Sequence, residues 1–587
     1  MSLLTELRRR GVLQTLIGYV GLVWLAVQVL ETTLPAFDLP DIYIRWLIVG
    51  AAILLLPVLA FSWIFEWSPG GLTTQKAVDA NAKESALPGS TSRRADLVVI
   101  GILVVAVTYF AVDKFVVQQS AHKDNSIAVV PFEFLPRGSE QSYISYGIAA
   151  DILGKLARNV SLRLAPQSVS FAISPGESPL AFGRELGVGY VLAGSVREQD
   201  STLQVTVQLL STEDGLSIWG NSFTTTDTQL FRAVNQVATE IETSLGVEQA
   251  QRTLEHTPHP EAYRKRLNAV YLAANWTEED AQRSLQEIKA ALEIDPEYAL
   301  AWSNLGSIIA NAANAGWVPR EEAYRESKQV IRKLLEIVPN ASVGYRAAAR
   351  LAMNYEGDLA AAVVHMEQAL AREPDDLVVL TDASTLLMQT GRLDEALALE
   401  EYIVERSPFS ALSSHNLVLK YLYADQLDSA LSQNRRTVEL EPGRAHTNYW
   451  FGEIHLLMGD IDQAAEFFAK ETDEAYRLKG AALVAFARNQ PDEGEVALAE
   501  LIEKFGVQWP SEVAHVYAYS GQNELAFDWL EKEIATYGTG GWGEWQLQRL
   551  YDNLRETPEW DAFLMRQGAH ASQLRRQTLK IDLDRYQ

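Results

Sequence analysis

Prolines 296, 339, 374, 408 and 442 recur at spacings of 43, 35, 34 and 34 residues, and each follows an amphipathic run. Proline cannot continue a helix, so the recurrence marks the ends of evenly sized helical units. Counting back twelve, eight and five positions from each of the second to fourth prolines gives Ser327, Ile331, Leu334; Ala362, Met366, Ala369; and Ala396, Glu400, Ile403. Ahead of Pro296 the same positions hold Ser284, Ile288 and Ala291. Small residues let two helices of a unit approach closely, and larger ones fill the gap to the next unit. A turn recurs between the helices, as Gly357-Asp358-Leu359, Gly391-Arg392-Leu393-Asp394 and Gly459-Asp460-Ile461-Asp462. The excess of nine residues in the first spacing is expected near Asn311 to Pro319, as a projecting loop. Two degenerate units are expected at 489–505 and 514–534, and Leu550 to Leu564 is expected to cap the last exposed apolar face. A single unit of this kind cannot bury its apolar face, so the body must be a stack.

The first helices carry a second pattern. Six residues after a proline stands a large residue, followed by Leu-Gly or smaller equivalents: Trp302, Leu305, Gly306; then Tyr345, Ala348, Ala349. Asn448, Phe451 and Gly452 pair similarly with Ala464 and Phe468. Period and pattern resemble the tetratricopeptide repeat. The resemblance implies a mainly α chain whose residues 260–567 form an α-solenoid of about eight helix pairs with a C-terminal capping segment. Its concave groove, lined by first helices, is of the kind that binds extended peptides or partner helices. The groove positions are Arg346, Arg350, Thr381, Thr385, His415, Leu419 and Tyr449. Arg346 and Arg350 stand one turn apart, suited to gripping a carboxylate or acidic peptide; the alternative is that they are solvated or paired with neighbouring acids. The carboxylate-binding Lys/Asn set of chaperone-cofactor repeats is not reproduced.

Ahead of the array the chain changes character. Residues 1–117 hold nine Lys/Arg and nine Asp/Glu, so the net charge of -26 belongs to the rest. Residues 12–30 are uncharged, 43–65 are apolar save Arg45, and 97–117 are apolar up to Asp113 and Lys114. About 20 helical residues cross a hydrocarbon layer of ~30 Å. Three transmembrane helices are therefore expected, with 68–96 as a cytoplasmic linker. Arg8, Arg9 and Arg10 precede the first span, and Lys76, Lys83, Arg93 and Arg94 lie between the second and third. Cationic flanks stay cytoplasmic, which puts the N-terminus inside a bacterial inner membrane and the residues after about 118 in the periplasm. If 97–112 is a buried core segment instead, the body is cytoplasmic. Eleven residues precede the first span, and no effector domain is expected there.

Residues 126–248 read as a small α+β domain. A buried strand at 126–132 is followed by a helix whose Ile144, Ile148, Ile152 and Leu156 share one face, a short helix at 180–186, strands at 190–197, 202–210 and 217–224, and a helix at 230–245. Alternation of Leu203, Val205, Val207 and Leu209 with Gln204, Thr206 and Gln208 gives a sheet with one buried and one wet face. The runs SIAVVPF, YGIAADILGKLAR, LGVGYVLAGSVRE and LQVTVQLLSTEDGLSIWG resemble the TolB-like/FlgO-like domain of bacterial envelope proteins. In that family the domain is non-catalytic and links a membrane anchor to tetratricopeptide repeats. The whole layout is similar to the sensor portion of CadC-like and adenylate-cyclase-linked tetratricopeptide proteins.

Catalytic signatures are missing. There is no cysteine, and none of the nine histidines stands in a metal-ligand spacing. No Walker loop, Gly-x-Ser-x-Gly elbow or kinase set occurs. Gly538, Gly540 and Gly543 match Gly-x-Gly-x-x-Gly but follow a helix, and read as an inter-helix loop. Acids such as Glu278-Glu279-Asp280 and Asp375-Asp376 fall at helix starts, where they complement the dipole. No metal, cofactor or catalytic residue is expected, and the negative charge argues against nucleic acid. The expected function is a membrane-anchored, non-catalytic scaffold binding envelope proteins or peptides, with room for homo-oligomers. The alternatives are a sensory subunit, whose α+β domain binds a ligand and signals through the spans, and an envelope enzyme.

Overall fold

The computed structural model describes Tyr19, residues 65–68, 71–74 and 125–586, apart from 139, 140, 175, 200, 201, 227, 228, 250–256, 258, 276 and 539–541. These fall into two units, residues 1–117 and 118–587. In the first, β1 (Phe65–Ser68) pairs antiparallel with β2 (Gly71–Thr74), Ser68 opposite Gly71. This differs from expectation: Phe65 opens a strand instead of ending a span, and 71–74 is extended instead of linker. The connection is the dipeptide Pro69-Gly70, a strong turn former that a reading by apolar run length overlooks. The expected spans 12–30, 43–65 and 97–117 otherwise lie outside the described residues. Tyr19 is helical. Among the described residues no helix is long and apolar enough to cross a membrane.

The second unit opens with β3 (Ser126–Val129), β4 (Glu133–Leu135), α1 (Ser142–Leu156), β5 (Arg163–Leu164), α2 (Gln167–Ser170) and α3 (Pro179–Leu186). It continues with β6 (Tyr190–Gln199), β7 (Thr202–Ser211), β8 (Ser217–Thr225) and α4 (Leu230–Ser244). The sheet order is β5-β3-β6-β7-β8, and β4 pairs parallel with β6 beyond the stretch that β3 occupies. β3 lies parallel to β5 and β6, while β6, β7 and β8 form an antiparallel meander. The alternation in β7 buries Leu203, Val205, Val207 and Leu209. They meet Ile144, Ile148, Ile152 and Leu156 of α1 in a common core.

Eight helix pairs follow: α5 (Pro260–Ala274) with α6 (Glu278–Ile294), α7 (Ala299–Asn314) with α8 (Arg320–Ile337), α9 (Ser342–Leu351) with α10 (Leu359–Arg372), and α11 (Leu377–Gln389) with α12 (Leu393–Arg406). Then come α13 (Ala411–Tyr423) with α14 (Leu427–Leu440), α15 (Thr447–Leu457) with α16 (Ile461–Lys470), α17 (Glu474–Ala487) with α18 (Pro491–Phe505), and α19 (Pro510–Tyr519) with α20 (Asn523–Tyr537). Side-chain caps start several of the helices: Asp358 accepts from the Ala361 N–H, Asp376 from Val378 and Val379, and Asp473 from Ala475. The turn inside pairs two to eight always places one residue in the left-handed region. It is Gly316, Gly357, Gly391, Gly459 or Gly521, and Asp425 or Asn489 takes the role in the fifth and seventh pairs.

Both irregular proline spacings have a local cause. The nine extra residues form no projecting loop, because α7 and α8 grow to 16 and 18 residues and only 315–319 join them. The alanine-rich end of α7 favours continued helix. The single extra residue between Pro339 and Pro374 is absorbed at the end of α9, where Ala352–Glu356 makes a π turn.

Two large cores and two smaller clusters hold the unit together. Of the large cores, one runs without interruption from β3, α1 and β7 into Leu267, Trp302 and Leu334 of the first two pairs. Gly147 makes this possible: a Cβ there would lie 2.6 Å from Leu267 Cδ2, so α1 can meet α5 only through glycine. The other spans pairs three to eight together with the C-terminal segment. That segment comprises α21 (Trp542–Leu547), α22 (Asp552–Arg555), α23 (Pro558–Gln567) and α24 (Ala571–Leu574).

Candidate partner-binding groove

Where α1 crosses α5, a cleft of about 560 Å³ remains between the α+β domain and the first helices of pairs one to four. Its size suits a ligand or a few residues of peptide. On its floor Asp151 Oδ2 accepts from Arg266 Nη2 at 2.5 Å and from Tyr263 Oη at 2.7 Å. Arg266 also donates to Tyr298 Oη at 2.6 Å and Asn304 Oδ1 at 3.3 Å. The guanidinium is 2% exposed. Burial opposes its charge, but Asp151 and the two tyrosines outweigh that and push its pKa up. Burial raises the Tyr263 and Tyr298 phenols as well. A buried ion pair this well bonded joins domain to array as a fixed hinge pin.

Above this floor the walls carry Lys155, Arg158, Arg346 and Arg406, against the carboxylates Glu373 and Asp376. Including Arg266 and Asp151, five cations face three acids. Val270, Leu300, Val343, Leu377 and Val378 supply an apolar strip. The seven groove positions read from sequence are dispersed. Arg346 lines the cleft and donates to Asp382 Oδ2 at 3.1 Å. Arg350 is exposed. Burial raises the Asp382 carboxyl, with Arg346 and Arg350 pulling the other way. The Thr381 and Thr385 hydroxyls donate to carbonyls of their own helix, at Leu377 and Thr381. Leu419 packs half-buried against the core. His415 has Nδ1 buried without a hydrogen-bond partner, and burial lowers the imidazole to about 4. Tyr449 is wholly buried and donates to Glu453.

Sequence reasoning missed what covers the far half of the groove. Instead of only capping pair eight, the C-terminal segment runs back to pairs three to five. Gly543 lies so close to the Met388 and Gln389 carbonyls that no side chain fits there. Tyr423 donates to Glu544 at 2.7 Å, and Arg549 pairs with Asp425. Beneath it, Lys479 Nζ meets Glu512 Oε2 at 2.5 Å and His515 Nδ1 at 3.0 Å. Burial opposes the Glu512 charge, yet Lys479 and His515 hold that carboxyl well below its usual range. Glu533 has no such cation, and burial together with Glu544 and Glu512 raises it to about 8. Among the described residues no group of three or more side chains could hold a metal ion. Of the formal glycine motif, Gly538 ends α20 in the left-handed conformation and Gly543 sits inside α21.

Comparison with known proteins agrees with the repeat. A tetratricopeptide repeat family model matches residues 353–406, from the π turn through α12. The chain therefore contains tetratricopeptide repeats. It is 30% identical over 192 residues to "Putative adenylate cyclase 3" of Rhizobium meliloti (strain 1021), covering 32% of each. The chain thus spans about a third of the length of the curated relative it matches. Similar solved structures include the human IFIT1 dimer with m7Gppp-AAAA, at 14% identity and a TM-score of 0.36 over 52% of this chain and 77% of that one. Others are pilF of Pseudomonas aeruginosa (17%, TM-score 0.29, 35% and 91%) and the type IV pilus biogenesis factor PilW (16%, TM-score 0.24, 43% and 97%).

Proposed function

We propose that the chain is a membrane-tethered, non-catalytic scaffold that holds an acidic, partly apolar polypeptide in the cleft between the α+β domain and the first four helix pairs. The observation that carries this is the cleft lining: five cations against three carboxylates beside an apolar strip, in a chain of net charge -26. A cationic surface in an otherwise acidic chain attracts acidic segments, and the negative charge of the whole chain favours protein over nucleic acid. In this reading residues 12–30, 43–65 and 97–117 anchor the chain in a bacterial inner membrane, and the body stands in the periplasm. The α+β domain acts as a TolB-like module that forms one wall of the site.

A titration of fluorescent acidic peptides against the full chain in detergent micelles tests the site. The double reversal Arg346→Glu with Arg406→Glu should weaken binding at least tenfold; equal affinity for both proteins would sink the reading. Compartment is tested separately. The chain has no cysteine, so Val507→Cys, at an 87% exposed position, should react with an impermeant maleimide in intact spheroplasts if the body is periplasmic.

A second reading, a sensory subunit, is favoured by the Asp151–Arg266 pin and the shared core, which couple cleft occupancy to both halves. The likeness to a relative named as an adenylate cyclase supports it over 192 residues. Asp151→Asn, which weakens the pin but keeps the domain in place, would then diminish a cyclic-nucleotide or transcriptional response while peptide still binds the cleft.

A further inference from the structure

The last residues of the described chain occupy a site too specific to be mere packing. Leu574 and Leu579 are buried against pairs three and four, with Leu574 over Gly391. Around them the receiving edge supplies one partner after another. Arg392 donates to the Leu579 carbonyl at 2.6 Å, and Glu367 accepts the Lys580 N–H at 3.1 Å. Asp375 accepts from Arg585 Nε at 2.8 Å and also from its Nη2. Tyr586 donates to the Pro374 carbonyl at 2.7 Å and meets the Tyr402 ring edge-on at 5.2 Å.

We propose that this edge of pairs three and four is a peptide-docking site for a basic, aromatic segment, and that this chain's own residues 571–586 fill it in cis as a displaceable occupant. The partner it fits is a polypeptide presenting two leucines five residues apart, followed six residues after the second by Arg-Tyr. Its recognition combines main-chain bonding, which any extended segment satisfies, with two buried leucines and a bidentate arginine that select the sequence. The cis occupant is held for exchange: Arg585 and Asp375 are 47% and 35% exposed, so their pair selects the sequence by its geometry more than it tightens the hold. Gly568, in the left-handed region with nothing near its Cβ position, provides a hinge after α23. The site is separate from the cleft proposed above and does not depend on it.

The test is fluorescence anisotropy of a labelled synthetic peptide with the sequence of residues 571–587 against the full chain in detergent micelles. Wild type should bind it poorly, because the tethered copy competes at high effective concentration. Arg585→Ala with Tyr586→Ala, which loosens the cis occupant but leaves the edge intact, should bind at least tenfold more tightly. Adding Asp375→Lys should erase that gain, with an unchanged thermal melt showing that the fold survives. A scrambled peptide should bind none of them. Equal binding by all three proteins, binding of the scrambled peptide, or no gain on loosening would each overturn the proposal. Sedimentation at the same concentrations distinguishes a second copy as donor: a wild-type species of twice the mass, lost in the loosened variant, would overturn occupancy in cis.

Discussion

Glu400 stands at the position that other pairs fill with Ile288, Ile331 or Met366, and it is fully buried. The charge survives because Lys420, from the next pair, reaches Glu400 Oε2 at 3.1 Å and Ser384 donates to the same oxygen at 2.8 Å. Replacing Lys420 by Met leaves an unpaired buried carboxylate and should cost about 3–5 kcal/mol in urea unfolding. The double change Glu400→Met with Lys420→Met restores the apolar pattern and should recover most of that loss; a double mutant as unstable as the single one would contradict the account. Glu533 gives a pH signature. Its carboxyl lies near 4.5 unfolded and at about 8 folded, so the folded state holds a proton the unfolded state has released. Its contribution is complete below about pH 4.5 and disappears as pH rises through 8. Glu533→Gln should flatten that decline, on the order of a few kcal/mol, in melts collected from pH 5 to 9. His415 acts at the acid end with the opposite sense: it folds neutral, so stability falls as pH drops from 6.5 toward 4.

Among elements, α16 and its neighbours show how tightly the pairs interlock. The Phe468 ring lies between Gly452 of α15 and Gly480 of α17, and neither glycine has room for a Cβ against it. Gly480→Ala should therefore destabilise by about 1–3 kcal/mol despite its better helix propensity, measured by thermal unfolding. Much of this level was legible in the chain. Gly452 and Phe468 came from the repeat pattern, and β6 to β8 lie within about two residues of where alternation puts them. What escaped is informative. The π turn at 352–356 was visible only as a spacing of 35, and Asp425 hides a turn because its φ of 58° is one that glycine usually supplies. In the groove, Arg346 was readable from helix register, while its partner Asp382 sits 36 residues on and Asp151 lies 115 residues from Arg266. Pairing at such separations leaves no local trace. Nothing in the amphipathic tail indicated that Arg585 would find Asp375.

At the scale of the molecule, the array curves until its second and eighth pairs meet. Arg320, at the start of α8, donates to the Tyr537 carbonyl at 3.2 Å at the end of α20, and to the Asn354 carbonyl. Its guanidinium lies 4.3 Å from the Tyr355 ring centre and 5.6 Å from that of Tyr537. Arg320→Ala should cost about 1 kcal/mol of stability and raise the radius of gyration in small-angle scattering; an unchanged scattering curve would show that the C-terminal segment alone sets the curvature. Open solenoids tolerate the duplication or loss of a unit, because each pair touches only its neighbours. This one cannot be edited so freely. Inserting or excising a single pair between the second and the eighth would rotate one closing surface out of reach of the other, so selection acting on the closure also counts the pairs.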